Sequence, residues 1–429
     1  MNAIIQPTHI LRGSVELPAS KSYSVRAFVI AACGGRSSIL SPSDCDDALA
    51  ALATARGLGA KARRIPGGWL IDGNRRAALP PLINVRESGT ALRLVLPLAA
   101  LHGRPVRVTG EGTLCGRPNH HLIAVLKKLG VDVDGRGKKH SVPIVFKGGR
   151  LRNGVIEIDG SLSSQFVSAL LIALPQLDGG SVLRVKGKRI VSSDYVTMTL
   201  QVLKRAGVSV RAVDRRTFQI PGGQPFKGLK NFRVPSDYGL AAFLMAAAAL
   251  TGSNVCLKGC LSDDFIQADG RVLSILKTMG VNFKKTSRSL RVKGPFTIRG
   301  GEFSLKDCPD LLPILAVCAL FADRKTTFKD IAHVRAKESD RISDLRKELL
   351  KINARVSETH NTLTITPAED RYLRDRSLDP HHDHRLAMAF SVLGLKLGVR
   401  IKDAECISKS YPGFLSDLKI LGGQVKKCR

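Results

Sequence analysis

One pattern recurs six times along the chain, and this repeat constrains the fold more than any other feature. A helix that ends in Leu-Lys-x-x-Gly runs into a short strand, as at Gly130 before Val-Asp-Val. Gly suits a left-handed residue that closes a helix, and Asn353, which takes its place once, is the next best choice. The intervals of 69 to 77 residues indicate a repeated supersecondary unit, with helix ends at Gly59, Gly130, Gly207, Gly280, Asn353 and Gly422.

Each copy also contains a second helix that is apolar nearly all round, which is typical of a buried helix. A short strand follows it, for example at residues 105–108 or 182–185. The unit therefore contains two helices and several strands. Six units divide naturally as three plus three, and 429 residues suit two large domains. The buried helices are predicted near residues 27–33, 91–101, 166–177, 240–250, 311–321 and 386–397.

The chain is strongly basic, with 67 Lys and Arg against 36 Asp and Glu, a formal charge of +31. Such an excess favours anionic partners, from small phosphates to nucleic acid. A nucleic-acid-binding protein is therefore one alternative. The basic residues are spread along the chain, and only 5% of residues are aromatic, which disfavours stacking on bases.

The cysteines and the N-terminal residues favour a cytoplasmic protein. Nine cysteines are scattered without a CxxC pair, which predicts free thiols in a reducing compartment. The opening Met-Asn-Ala-Ile-Ile-Gln-Pro has no basic region followed by an apolar run. The longest apolar helix candidates, such as residues 240–250, are too short to span a bilayer.

Small and hydroxyl residues precede three of the buried helices. They stand in Pro-Ala-Ser-Lys21-Ser-Tyr-Ser-Val-Arg26, in Glu87-Ser-Gly-Thr-Ala-Leu-Arg93 and in Ser161-Leu-Ser-Ser-Gln-Phe166. Backbone N–H groups at a helix start can bind an anion, and Lys or Arg adds charge. Taken separately, each motif is equally typical of a plain helix cap. Cys-Gly-Arg117-Pro118 lies in a loop before another helix, where Pro suits the first turn.

The C-terminal half carries denser charged motifs. Asp310 opens the fifth buried helix, where a lone Asp is usually a cap. In Arg335-Ala-Lys-Glu-Ser-Asp-Arg341, a helix would place Lys337 and Glu338 on one face with Arg341; the alternative is a solvated, salt-bridged helix.

Residues 381–385 read His-His-Asp-His-Arg, and Lys409 lies in a later loop. Four adjacent ligands cannot all face one ion, and no Cys or Glu stands at a ligand spacing. We therefore predict a cationic substrate site here rather than a metal site, with a polar turn as the alternative.

Together these motifs resemble the EPSP synthase family of enolpyruvyl transferases over nearly the whole chain. Ser-x-Ser-Ser-Gln-Phe at residues 161–166, Arg-x-Lys-Glu-Ser-Asp-Arg at 335–341 and Asp-His-Arg-x-Ala-Met at 383–388 are highly specific in combination. Glu87, Val25 and His333 depart from the usual residues of the family pattern.

The resemblance implies a two-domain inside-out α/β barrel of six βαβαββ repeats, three per domain. One domain would comprise residues 1–19 with 238–429, and residues 20–237 would form the inserted domain. The active site would lie in the interdomain cleft, and the domains would close on the substrate. The resemblance also implies a monomer that needs no metal or organic cofactor.

The family's reaction transfers the enolpyruvyl group of phosphoenolpyruvate to 3-phosphoshikimate, in the shikimate pathway to chorismate and aromatic amino acids. The resemblance implies catalytic roles for Asp310, Glu338 and Lys21. It assigns phosphoshikimate to Lys21, Ser22, Arg26, Ser163, Ser164, Gln165, Ser192, Tyr195, Asp310 and Lys337. It assigns phosphoenolpyruvate to Lys21, Gly89, Arg117, Gln165, Arg341, Arg385 and Lys409.

These residues suit the chemistry, because both substrates are polyanions and cations offset their mutual repulsion. Arg matches carboxylate and phosphate through its fork of donors, and addition across a double bond needs an acid and a base. The nearest competitor, the UDP-N-acetylglucosamine enolpyruvyl transferase family, carries a reactive Cys five residues before an Arg-Pro pair. Cys115 stands only two residues before Arg117, so the register does not match that family.

Overall fold

The chain divides into two compact units in a computed structural model that describes residues 1–74, 77–187, 191–367, 372–374 and 376–428. One unit is Ala19–Val234, and the other combines Met1–Pro18 with Pro235–Arg429. The expected boundaries followed residues 19 and 237, whereas the observed ones follow residues 18 and 234.

The strands of the described residues form six four-stranded sheets, three in each unit. The predicted mixed α/β class is therefore confirmed. The strands are β1 Asn2–Ile5, β2 Ile10–Glu16, β3 Gly35–Leu40, β4 Lys61–Ile65, β5 Gly68–Gly73, β6 Leu82–Asn84, β7 Val106–Thr109, β8 Asp132–Arg136, β9 Ser141–Gly148, β10 Val155–Asp159, β11 Ser181–Lys186, β12 Arg211–Ala212, β13 Thr217–Ile220, β14 Phe232–Arg233, β15 Gly252–Lys258, β16 Phe283–Lys285, β17 Ser289–Val292, β18 Glu302–Ser304, β19 Thr326–Lys329, β20 Arg355–Glu358, β21 Thr362–Thr366, β22 Arg376–Leu378, β23 Val399–Ile401 and β24 Val425–Cys428.

The sheets share one topology, which β6 to β9 illustrate. β6 pairs in parallel with β7, and Ile83 lies opposite Val108. β9 lies between β7 and β8 and is antiparallel to both. A parallel pair needs a crossover connection, which a helix supplies, whereas the antiparallel pair β8 and β9 is joined by a short turn.

Three sheets are completed by strands that are distant in sequence. β14, at the end of the Ala19–Val234 unit, pairs in parallel with β3 near its beginning. In the other unit, β1 lies between β23 and β24 and is antiparallel to both. β2 likewise pairs in parallel with β15, which follows it by more than 230 residues. The chain thus leaves one unit after β2 and returns to it after β14.

Twelve α-helices occur in the described ranges, two for each sheet. They are α1 Lys21–Ala32, α2 Asp46–Gly57, α3 Gly89–Ala100, α4 His120–Lys128, α5 Ser164–Ala173, α6 Ser193–Arg205, α7 Tyr238–Leu250, α8 Val272–Thr278, α9 Leu312–Leu320, α10 Ser343–Leu350, α11 His384–Leu397 and α12 Phe414–Ile420.

Three helices fill the interior of the unit that contains both chain ends. Every residue of α7 and α9 is buried, as are all but one of α11, and the three helices pack against one another. In the other unit α3 packs on α1 and α5. Helices that are apolar all round can bury every face, so the six predicted buried helices are confirmed.

The six marked helix ends all adopt a left-handed backbone. Asn353 has φ +62° two residues before β20, and the five glycines have φ between +82° and +102°. Such values are strained for most L-residues and are tolerated by Gly and, to a lesser degree, Asn. The repeat therefore reflects one physical requirement, a reversal of the chain between helix and strand.

The structure differs from the local expectations at the ends of predicted helices and at residues 337–340. The third buried helix stops at Ala173 rather than residue 177, because Pro175 has no N–H to continue the helix and a 3₁₀ turn, Leu174–Gln176, follows. The segment 337–340 is not helical; it connects the 3₁₀ turn Ala332–Ala336 to α10. Glu338 and Arg341 nevertheless contact each other, as described below.

Candidate active site

The first group of predicted site residues lies in the Ala19–Val234 unit. Lys21 opens α1, and its Nζ lies 3.0 Å from Oδ2 of Asp47 on α2. Ser22, in the same first turn, is half-buried. These two residues therefore stand at a helix start, where N–H groups and an ammonium group can bind an anion.

Arg26 connects this helix start to the start of α6. Its Nε donates to Oγ1 of Thr199 at 2.8 Å, and its Nη1 and Nη2 donate to the carbonyls of Ser22 and Tyr195 at 3.0 and 3.2 Å. The guanidinium also lies 5.6 Å from the centre of the Tyr195 ring. Burial lowers the pKa of Arg26 to about 10, although the phenols of Tyr195 and Tyr23 oppose the shift. Arg26 thus fixes the backbone of two other predicted site residues.

Gly89 opens α3 and is in close contact with Arg117. A Cβ added at Gly89 would lie 2.6 Å from Nη1 and 2.9 Å from Cζ of Arg117. Arg117 is buried after a 3₁₀ turn, and its carbonyl accepts hydrogen bonds from Asn119 Nδ2 and Ser141 Oγ, each at 3.2 Å. Glycine is therefore required at position 89 for this position of the guanidinium.

Gln165 is held by two side chains of α3. Its Oε1 accepts from Arg93 Nη1 at 2.5 Å, and its Nε2 donates to Oγ1 of Thr90 at 2.9 Å. Arg93 also donates to Oδ1 of Asn119 and lies over the Phe166 ring. The sequence motif contained Arg93 but gave it no role; the structure makes it the residue that orients Gln165.

The predicted serines and Tyr195 stand at the starts of α5 and α6. Ser163 caps α5, accepting from the Gln165 backbone N–H at 3.3 Å, so its helix-cap interpretation is realised. Ser164 is buried in the first turn of α5. Ser192 precedes α6 with a left-handed φ of +55°, which is uncommon for Ser.

The second group of predicted residues lies in the other unit and converges on Arg341. Its side chain is 1% exposed, and Nε lies 2.7 Å from Oδ2 of Asp383. Nη1 lies 2.6 Å from Oδ1 of Asp310, and Nη2 lies 2.9 Å from Oε2 of Glu338. Burial alone would lower the pKa of Arg341, but these three carboxylates together raise it well above its usual value.

Three cations surround the carboxylate of Asp310. Besides Arg341, Nζ of Lys337 lies 3.3 Å from Oδ1, and Nη2 of Arg385 lies 3.2 Å from Oδ2. Asp310 is in the 3₁₀ turn Pro309–Leu311 just before α9 and is 15% exposed. Its carboxylate thus binds two arginines and a lysine, which exceeds the role of a helix cap.

Residues 381–385 and Lys409 form a polar cluster beside α11. Nζ of the buried Lys409 donates to the His382 carbonyl at 3.0 Å. Nε2 of His381 lies 3.1 Å from Oε1 of Glu348, and His382 Nδ1 pairs with Asp403. Across the described ranges, no group of three or more His, Cys, Asp and Glu side chains could hold a metal ion.

Asp383 and Asp269 belong to the surroundings of these cations but were not predicted. Asp383 is fully buried, caps α11 by accepting from the Arg385 backbone N–H at 2.8 Å, and binds Arg341. Asp269 lies 3.7 Å from Arg385. The Asp-His-Arg motif offered a signal for Asp383, because an Asp before a buried helix is a typical cap. No local pattern indicated Asp269.

No helix among the described residues is long and apolar enough to cross a membrane. All nine cysteines are free thiols, and Cys115, two residues before Arg117, is exposed.

The sequence and the fold both resemble known enolpyruvyl transferases. A family model described as EPSP synthase (3-phosphoshikimate 1-carboxyvinyltransferase) matches residues 5–418. A 3-phosphoshikimate 1-carboxyvinyltransferase of Methanothrix thermoacetophila is 36% identical over 421 residues, which cover 97% of each chain. One from Methanoculleus marisnigri is 37% identical over 407 residues, covering 92% of this chain and 94% of the relative.

Solved structures agree with this relationship. EPSP synthase from Acinetobacter baumannii superimposes with a TM-score of 0.80 at 25% identity, covering 99% of this chain and all of the other. The enolpyruvyl transferase NikO from Streptomyces tendae has a TM-score of 0.78 at 17% identity, covering 99% and 98% of the two chains, and supports the fold alone. With the family match over nearly the whole length, the chain belongs to the EPSP synthase (3-phosphoshikimate 1-carboxyvinyltransferase) family.

Proposed function

We propose that this protein transfers the enolpyruvyl group of phosphoenolpyruvate to the 5-hydroxyl of 3-phosphoshikimate and releases phosphate. The observation that best supports this is the cluster in which Lys337, Arg341 and Arg385 surround Asp310, with Glu338 bound to Arg341. It combines two carboxylates for proton transfer with three cations for anionic substrates. This reaction belongs to the shikimate pathway.

The proposed binding roles follow the two groups of residues. Phosphoshikimate binds Lys21, Ser22, Arg26, Ser163, Ser164, Gln165, Ser192, Tyr195, Asp310 and Lys337. Phosphoenolpyruvate binds Lys21, Gly89, Arg117, Gln165, Arg341, Arg385 and Lys409. We thus assign ligands from both units to the same pair of substrates.

The chemistry is addition followed by elimination through a tetrahedral intermediate. Asp310 accepts the proton of the substrate hydroxyl while its oxygen bonds to the central carbon of phosphoenolpyruvate. The methylene carbon receives a proton, a transfer that we assign to Glu338, and becomes a methyl group. In the second step the C–O bond to phosphate breaks, and the methyl carbon returns its proton to Glu338, restoring the enol double bond. The proton held on Asp310 leaves with the phosphate. Lys21 adds positive charge near the reacting groups.

Positive charge is required at each stage. Arg suits the carboxylate and phosphate because its planar fork donates two parallel hydrogen bonds. The buried positions of Arg341, Arg385 and Lys409 strengthen these interactions relative to water. Neither a metal nor an organic cofactor has a step in this scheme. We place the reaction in the cytoplasm and assign it to a monomer.

A phosphate-release assay tests the proposal. Release is expected only when phosphoenolpyruvate and 3-phosphoshikimate are both present, in metal-free buffer containing a chelator. Replacement of phosphoshikimate by UDP-N-acetylglucosamine tests the competing enolpyruvyl transfer and should give no release. Phosphate release with the UDP-sugar, or activity that a chelator abolishes and zinc restores, would contradict the proposal.

A further inference from the structure

Asp269 is a buried carboxylate beside Arg385 for which the reaction as described has no use. It lies in the 3₁₀ turn Ala268–Arg271, between β15 and α8. Its Oδ2 is 3.7 Å from Nη2 of Arg385, the same nitrogen that lies 3.2 Å from Oδ2 of Asp310. Arg385 therefore stands between two carboxylates, one of which we assign to catalysis.

Gly239 allows this close approach. A Cβ added there would lie 2.3 Å from Oδ2 of Asp269 and 3.0 Å from Nη1 of Arg385. The Gly239 carbonyl accepts from the same Nη1 at 3.2 Å. The missing side chain at the start of α7 thus leaves room for Asp269 and Arg385. The guanidinium then contacts the Gly239 carbonyl and the Asp269 carboxylate. A buried carboxylate is costly unless it is paired, so this arrangement is more specific than a surface ion pair.

We propose that Asp269 is a positioning residue for Arg385, and that its ionised carboxylate keeps the guanidinium available to phosphoenolpyruvate. This inference rests on the proposed function. Without the negative charge on Asp269, the attraction of the guanidinium to Asp310 is no longer opposed from the side of Asp269. It would then close on the catalytic carboxylate instead of remaining between the two, and phosphoenolpyruvate would bind less tightly.

The charges around Asp269 make this role dependent on pH. Burial raises the pKa of Asp269 to about 7; Arg385 on α11 opposes the shift, Asp310 and Asp237 add to it, and Lys337 opposes it. Asp310 precedes α9, Asp237 caps α7, and Lys337 follows the 3₁₀ turn Ala332–Ala336. Below this pKa the carboxyl is neutral and no longer balances Asp310. Asp269→Asn should therefore resemble the acidic form of the natural protein.

Steady-state kinetics of the full chain test the inference. At pH 8, Asp269→Asn should raise KM for phosphoenolpyruvate about tenfold, with kcat and the KM for phosphoshikimate within about threefold. At pH 5.5 the two proteins should agree within about twofold. The phosphate of phosphoenolpyruvate also titrates, with a pKa near 6. This titration affects the natural protein and the variant equally, so it cancels in the ratio of their KM values at each pH. Asp263→Asn, an exposed carboxylate paired with Lys285, is the control for charge and should change neither constant.

A double-mutant cycle shows whether Asp269 acts through Arg385. In an Arg385→Lys background, Asp269→Asn should change KM for phosphoenolpyruvate by less than about twofold. Gly239→Ala displaces the same pair from another element, so it should reproduce the increase in KM. The inference would be overturned if the KM ratio of Asp269→Asn to the natural protein were equal at pH 8 and pH 5.5, or if Asp269→Asn raised KM as much in the Arg385→Lys background. Loss of cooperative melting in both Asp269→Asn and Gly239→Ala would also overturn it. No phosphate release by the natural protein would instead refute the proposed function.

Discussion

The guanidinium of Arg341 lies 2.6 Å from the carboxylate of Asp310, and through its other nitrogens it reaches Asp383 and Glu338. One buried cation thus connects both proposed proton-transfer groups to the cap of α11. Asp310 is partly exposed to ligands whereas Asp383 is fully buried. A substitution at Asp310 should therefore lower turnover, and one at Asp383 should lower the stability of the fold.

Asp310→Asn should lower turnover by roughly 10²–10⁴, the usual contribution of a positioned acid or base. Asn keeps the shape and one acceptor oxygen but cannot accept the hydroxyl proton, so phosphoshikimate should still bind within a few-fold. Steady-state rates and calorimetric binding measure the two effects. The helix-cap interpretation predicts near-normal turnover, because Asn also caps well.

The control for this variant is Asp307→Asn, which makes the same change three residues earlier. Asp307 is buried and carries its own partners, Arg271 and Lys306, at 3.2 and 3.7 Å. Its turnover should remain within about twofold. Equal losses in the two variants would show that the charge of the segment matters rather than the chemistry of Asp310.

Asp383→Ala should lower the free energy of unfolding by about 3–5 kcal/mol, the usual cost of removing one partner of a buried ion pair. The variant leaves Arg341 without the nearest carboxylate to its Nε and deprives α11 of its cap. Denaturant unfolding measures the change. Glu302→Ala is the comparison, since Glu302 is 67% exposed and pairs with Lys329; it should cost about 1 kcal/mol or less. A loss of similar size in both variants would contradict this.

Gly89→Ala should raise KM for phosphoenolpyruvate by roughly tenfold, because the new methyl group would displace the Arg117 guanidinium. We assign this guanidinium to substrate binding that is equal in the ground state and the transition state. Turnover at saturation should change little. Gly116→Ala is the matched control: it adjoins the same arginine, but an added Cβ there meets no atom within 4 Å. An unchanged KM in Gly89→Ala would show that Arg117 does not bind phosphoenolpyruvate.

His333 should make the fold less stable in mild acid. Burial lowers its pKa to about 4, helped by Lys337 and opposed by Asp310, whereas the unfolded chain titrates near 6.5. Between these values the unfolded state binds a proton that the native state does not, so stability falls as the pH drops from about 6.5 to 4. The contribution is at most about 1.4 kcal/mol per pH unit. The melting temperature should fall less steeply with decreasing pH in this range for His333→Asn than for the natural protein. An equal pH dependence of the two melting temperatures would refute the prediction.

Local patterns predicted those parts of the fold that depend on local physics. The left-handed residues at Gly130 and Asn353 were expected because a helix that reverses into a strand needs them. The buried helices followed from composition, but α1 begins at Lys21 rather than near residue 27. Its first turn carries polar residues proposed for substrate binding, which an apolar pattern cannot include.

The rest depends on contacts between residues that are distant in sequence. The pairing of β14 with β3 joins residues almost 200 positions apart, and two-residue strands leave no periodicity to detect. Asp383 contacts Arg341 across 42 residues. Asp269 comes beside Arg385 only after α7 and α11 have packed together, so no spacing in the sequence could have indicated it.

The place of β1 between β23 and β24 also determines the order in which the chain can fold during synthesis. When residue 234 leaves the ribosome, the strands of the Ala19–Val234 unit are all present and their sheets can close. β1 and β2, made first, still have none of their partners. At the usual rate of ~5–20 residues per second, the remaining 195 residues take roughly 10–40 s. β2 can pair as soon as β15 has been made, whereas β1 has both edges unpaired through most of that interval. We therefore expect chaperones to bind the nascent chain at β1.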